Sequence, residues 1–194
     1  MKLLTKCFRL FFVMMVLTGI VYPLLVTLVA QLVFHAQAEG SLLTVNGKAV
    51  GSALLAQKTE NPKYFWPRPS ADDYGTVPSG ASNLGPSSAA LQKAINDQAT
   101  KVRATYKLAA DAPVPDDLLT ASASGLDPHL SPAAVQLQID RVAAARGFNA
   151  DQKLKLSALV AAQTEGPQLG FLGNARVNIL LLNLALDKLA EKAE

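Results

Sequence analysis

Leu10 to Phe34 reads LFFVMMVLTGIVYPLLVTLVAQLVF, twenty-five residues without a charge. At 1.5 Å per residue this is about 37 Å of helix, enough to cross a hydrocarbon core of about 30 Å with some tilt. Gly19 and Pro23 are tolerated in a spanning helix, and Pro23 predicts a bend. The competing reading is a cleaved signal sequence, because Ala36-Gln37-Ala38 fits an A-x-A cleavage pattern behind a basic tail. Signal h-regions run only about 7–15 residues, so the length favours a retained anchor. Lys2, Lys6 and Arg9 precede the run, whereas the first charge beyond it is Glu39 and the first lysine Lys48. The positive-inside rule then predicts residues 1–9 in the cytoplasm, a span over 10–34, and 35–194 outside.

Those three basic residues also account for the whole net charge of +3. From Leu10 onward, fifteen basic residues balance fifteen acidic ones, which leaves no basic face for nucleic acid. Cys7 stands alone and precedes the apolar run, so neither a disulfide nor a lipoprotein cysteine is indicated.

Beyond the span, Leu42–Val45 and Ala49-Val50 flank Asn46-Gly47, a strong hairpin signal. A stretch rich in Pro, Gly, Ser and Asn runs from 61 to 88, with Tyr64, Phe65 and Trp66 near its start. A disordered linker avoids such aromatics, so an ordered loop is expected. Helical spacing then predicts a helix from Ser87 or Ser88 through Leu108, with Leu91, Ile95, Val102 and Tyr106 inward. Ser131-Pro132 opens a second helix that Gly147 closes. Asn149 with Gln152 forms a capping box for a third, through about Thr164. Val177–Leu182 reads as a strand covered on both faces, followed by a short helix from Leu184 to Lys192. The predicted architecture is one N-terminal transmembrane helix and one α/β (α+β) extracytoplasmic domain.

Chemistry of its own is hard to find. Gly80 and Gly85 have Walker spacing, but Pro86 stands where the lysine belongs and removes an amide. Asp187-Lys188-Leu189-Ala190 only begins like the phosphorylation sequence of a P-type pump. His129 beside Asp127 is a weak metal signal, better suited to a turn and a helix entry, and no G-x-S-x-G elbow exists. What remains is two loops of small polar residues before helices, PSGASNLGPSS at 78–88 and LTASASGLDPHLS at 119–131. Both are of the kind that present binding residues on a scaffold.

YFWPRPS at 64–70, SGASNLGPS at 79–87, VPDDLLTASASGLDPHLSP at 114–132, RVAAARG at 141–147 and VNILLLNLALD at 177–187 resemble signature segments of one family. That family is the C subunits of the Kdp-type high-affinity potassium-transporting ATPases, and the resemblance extends over essentially the whole chain. It implies a single-pass inner-membrane protein, without catalysis of its own, that stabilises an ATP-driven potassium uptake complex. The implied partners are a channel-like potassium-binding subunit, a P-type ATPase subunit and a small one-helix subunit. It implies, as an alternative, a chaperone that binds ATP and raises the nucleotide affinity of the ATPase subunit; ATP is the one cofactor so implied. The expected docking residues are Tyr64, Phe65, Trp66 and Arg68 in the first segment. Ser79, Gly80, Ser82, Asn83 and Gly85 follow in the second, and Ser124, Gly125 and Asp127 in the third. No metal site is expected.

Overall fold

A computed structural model describes residues 2–191. It divides into two compact units, one up to Val50 and one from Gly51.

The first unit is dominated by an apolar helix over Lys2–Val33 with a mean hydropathy of 2.4. It comprises α1 (Lys2–Val16), a π-helical turn at Leu17–Val21, and α2 (Tyr22–Val33). The helix starts earlier than the expected limit of 10, so Lys2, Lys6 and Arg9 lie within its first turns. No residue in it is buried by its own chain, although it is apolar all round. A helix of that kind needs lipid or a partner to cover it. One turn, α3 (His35–Ala38), follows, and then the expected hairpin of β1 (Leu42–Val45) and β2 (Lys48–Ser52). Asn46 and Gly47 at its tip have φ of 51° and 75°, the left-handed pair that a type I′ turn requires.

The second unit is helical, with a small three-stranded sheet. Its elements are α4 (Ala89–Tyr106), a 3₁₀ turn at Asp116–Leu118, β3 (His129–Leu130), α5 (Pro132–Gln136), α6 (Ile139–Arg146), α7 (Ala150–Ala162), β4 (Thr164–Glu165), β5 (Arg176–Asn178) and α8 (Ile179–Glu191). The sheet order is β3-β5-β4, antiparallel throughout, with Leu130 opposite Val177 and Thr164 opposite Val177. The core gathers Phe65, Leu130, Val135, Ile139, Val142, Leu156, Val177, Leu182 and Leu186, all 2% exposed or less.

Three caps follow the sequence reading. Ser131 Oγ accepts from Ala134 N at 3.2 Å, with Pro132 at the first helical position. Gly147 closes α6 in the left-handed region at φ 68°. Asn149 and Gln152 form both bonds of the capping box, at 2.8 and 2.9 Å. Helix α4 ends at Tyr106, with Lys107 as its left-handed cap at φ 54°. Its buried positions are Ala99 and Val102, while Leu91, Ile95 and Tyr106 are only half-buried.

Two expectations are corrected. Val177–Leu182 is not a strand: the strand stops at Asn178 and the chain turns helical at Ile179. Asn178 is the reason. Its Oδ1 accepts from Leu181 N at 3.1 Å as a helix cap does, while its Nδ2 donates to Ala53 O at 2.7 Å. Ile179, Leu182 and Leu186 then fall on one buried helical face. Lys192, the expected end of that helix, lies outside the described residues. The single helix expected from Ser131 to Gly147 is split, because Gln138 N donates three residues back to Val135 O and frees its side chain for another task.

Candidate interaction site

That task is to grip the aromatic segment. Residues 61–69 cross the helices as a turn and irregular chain, without a neighbouring strand. A buried backbone of this kind must still find partners for its amides and carbonyls. Here side chains provide them. Gln138 Oε1 accepts from Trp66 N at 2.8 Å, and Gln138 Nε2 donates to Trp66 O at 3.0 Å. Asn183 on α8 does the same for Phe65, at 2.8 and 2.9 Å. Arg141 on α6 donates to Pro62 O at 2.7 Å and Tyr64 O at 3.0 Å, and Arg146 donates to Lys63 O at 2.8 Å. Five consecutive carbonyls, 62 through 66, are thus each held by a side chain.

The charges in this clasp are held as well. Arg141 lies 3.9 Å from the Trp66 ring and 5.7 Å from that of Tyr106. Burial there pushes its guanidinium below the ordinary arginine range. Arg146 Nη2 meets Asp187 Oδ1 at 2.6 Å, and the Tyr64 hydroxyl donates to Asp187 Oδ2 at 3.0 Å. Burial and then the Asp187 bond raise the Tyr64 phenol. Phe65 is wholly buried, so its side chain is spent inside the domain; Tyr64 and Trp66 keep some exposed surface.

The second and third segments meet next to this clasp. Arg68 Nη1 donates to Asp127 Oδ2 at 3.1 Å, and its Nη2 donates to Thr120 O at 3.2 Å. Asp127 Oδ1 in turn accepts from His129 N at 3.0 Å. Gly125 has φ +69°, and a Cβ there would stand 2.8 Å from Gly80 O and 3.2 Å from Ser70 Oγ. Only glycine admits both that conformation and that approach. Arg68, Gly80, Gly125 and Asp127 are therefore brought together as a brace. Ser79, Ser82, Asn83, Gly85 and Ser124 are exposed.

The Gly80–Gly85 stretch does not suit a triphosphate. Asp72 Oδ2 stands 3.5 Å from where a Gly80 Cβ would be, so a carboxylate borders this stretch. Ser88 begins α4 without a side-chain cap bond, and Pro86 offers no amide.

Tyr74 secures the same loop. Its hydroxyl donates to Arg68 O at 2.8 Å, and burial, with a smaller part from Asp73, pushes its phenol from 10.0 up to about 12. A raised folded value means that this contribution is full below pH 10 and is lost as pH rises through about 12. Chemical melts between pH 8 and 12 should steepen in loss above pH 10, and Tyr74→Phe should flatten that slope. The same substitution should cost about 1 kcal/mol at pH 8 through the lost bond.

Sequence reasoning missed Gln138, Asn183, Arg141 and Arg146, and it also missed the tip Gly166–Gly173. There Leu169 and Phe171 are 83% and 73% exposed, on a turn closed by reciprocal Gln168 and Leu172 backbone bonds of 2.9 Å. Apolar residues set between Gly166, Gly170 and Gly173 were the available signal for that tip.

The family model described as K+-transporting ATPase, c chain, or KdpC, matches residues 4–188, which include the apolar helix, the clasp and both loops. The chain belongs to the KdpC family. Curated KdpC-family relatives agree along nearly their whole length. The Potassium-transporting ATPase KdpC subunit of Polaromonas naphthalenivorans is 52% identical over 191 residues, covering 97% of this chain and 95% of that one. The protein of the same name from Geobacter sulfurreducens is 48% identical over 193 residues, covering 97% and 99%. A KdpC chain is a subunit of a membrane-bound ATPase. A membrane location for this one accounts for an apolar helix that its own chain leaves uncovered.

Proposed function

We propose that this chain is the non-catalytic assembly subunit of an ATP-driven high-affinity potassium uptake pump. Residues 10–34 anchor it in the bacterial inner membrane, residues 1–9 stay in the cytoplasm, and the domain from 35 onward lies outside. It stabilises the complex by touching the channel-like potassium-binding subunit, the P-type ATPase subunit and the small one-helix subunit.

The observation that carries this reading is the brace. Arg68–Asp127 and the close approach of Gly125 to Gly80 fix two loops from behind, and their small polar residues face outward. Surfaces ordered before contact lose less entropy on binding, and small residues let two backbones come close. Arg141 and Arg146 of the clasp meanwhile donate to the domain's own backbone. Ser79, Ser82, Asn83, Gly85 and Ser124, with the exposed edges of Tyr64 and Trp66, form the docking face.

Deleting residues 79–85 tests this. The detergent-extracted complex should lose the subunit while the domain still melts cooperatively. A complex of unchanged composition contradicts the docking role of the loop.

A further inference from the structure

The π turn inside the membrane helix leaves more acceptors than donors. Tyr22 N donates to Leu17 O, five residues back. Val21 is the N-cap of α2, so in regular α geometry its carbonyl is the first acceptor, for Leu25 N. Three carbonyls lie between these two acceptors, those of Thr18, Gly19 and Ile20. Only two residues lie between the two donors, Pro23 and Leu24, and proline has no N–H. One amide thus serves three carbonyls, and two remain without an intrahelical partner.

Nothing else among the described residues serves them. The Thr18 hydroxyl is already given to Met14 O at 2.8 Å. Apart from its own helix backbone and chain neighbours, nothing comes within 4 Å of where a Gly19 Cβ would stand, and residues 17–24 are all exposed. The turn lies near the middle of the apolar run, where water is absent and each unsatisfied group costs several kcal/mol. Acceptors in hydrocarbon call for a donor brought by another polypeptide, and a glycine notch beside them lets a second backbone approach.

We infer that the π turn at Leu17–Val21 is the docking point for a transmembrane helix of another pump subunit. That helix crosses at Gly19 and gives a side-chain hydroxyl or amide proton to the free carbonyls. The inference rests on the reading of the chain as a pump subunit, but not on the loops outside the membrane. It accounts for Gly19 and Pro23 occurring together in an otherwise regular span.

The test is co-purification of the full chain with an affinity-tagged partner subunit from detergent extracts. Recovery of the unsubstituted chain establishes the subunit reading; its absence overturns that reading and this inference together. Gly19→Leu fills the notch and, being more apolar, does not impair insertion. Its recovery should fall about tenfold, the scale of one interhelical hydrogen bond with its packing. Pro23→Ala returns an amide to the helix and should lower recovery by a smaller factor. Leu4→Ala, far along the helix, should change nothing. Unchanged recovery of Gly19→Leu and Pro23→Ala overturns the inference while leaving the subunit reading intact.

Discussion

Gln138→Ala should lower the melting temperature of the domain by about 10 °C, the largest stability effect expected of any single polar side chain in the clasp. Gln138 is fully buried, and both of its amide atoms are committed to the backbone of Trp66. Truncation leaves an amide and a carbonyl unpaired, and Arg141 Nη2 loses its 2.8 Å acceptor as well. Each orphaned buried group costs about 1–3 kcal/mol, so about 3–4 kcal/mol in all is expected. A unit of this size loses about 2–4 °C per kcal/mol. Gln138→Leu restores the volume but not the bonds and should cost nearly as much; if it rescues stability, packing and not hydrogen bonding holds the segment. Trp66 is the protein's one tryptophan, and Arg141 stacks on it at 3.9 Å. Its fluorescence therefore reports on the clasp directly.

Gly125→Val should strip the subunit from the complex while the domain remains folded. A side chain there must adopt a left-handed backbone at φ +69° and stand 2.8 Å from a backbone oxygen of Gly80. Left-handed geometry alone costs about 1–2 kcal/mol, more for a β-branched residue. The cheapest relief is to push the 79–85 loop away from its brace. Recovery of the subunit with the detergent-extracted pump should fall about tenfold or more, for a stability loss of about 3 kcal/mol. Full recovery would mean that the brace is irrelevant to docking.

Much of the local architecture could be read from the chain, because its signals are short-range. Asn46-Gly47, Ser131-Pro132, Gly147 and the Asn149–Gln152 box each act within a few residues, and each stands where the sequence places it. The apolar run at 179–182 misled because a strand covered on both faces and a buried helix look alike over four residues. Only Asn178 marked the difference, and an asparagine before an apolar run is a cap only if the chain turns there. The clasp was invisible for a different reason. Gln138 and Asn183 are ordinary polar residues on helices, and their partners Trp66 and Phe65 lie 72 and 118 positions away. Burial of both ends decides their role, and no local pattern encodes it. The aromatic cluster marked an ordered loop pinned by Phe65 and Trp66 against a core, and Phe65 does lie in the core, which leaves none of its side chain for the docking face.

The proposed function requires a domain outside the cytoplasm joined to a tail within it, and thiol labelling reads both sides. Cys7 is the chain's one cysteine and lies in the basic tail, while Lys155 is exposed on α7. A membrane-impermeant maleimide applied to sealed spheroplasts should label Lys155→Cys in a Cys7→Ser background at once. The unsubstituted chain should be labelled at Cys7 only after lysis. Immediate labelling of Cys7, with Lys155→Cys protected until lysis, would put the domain in the cytoplasm and contradict the account.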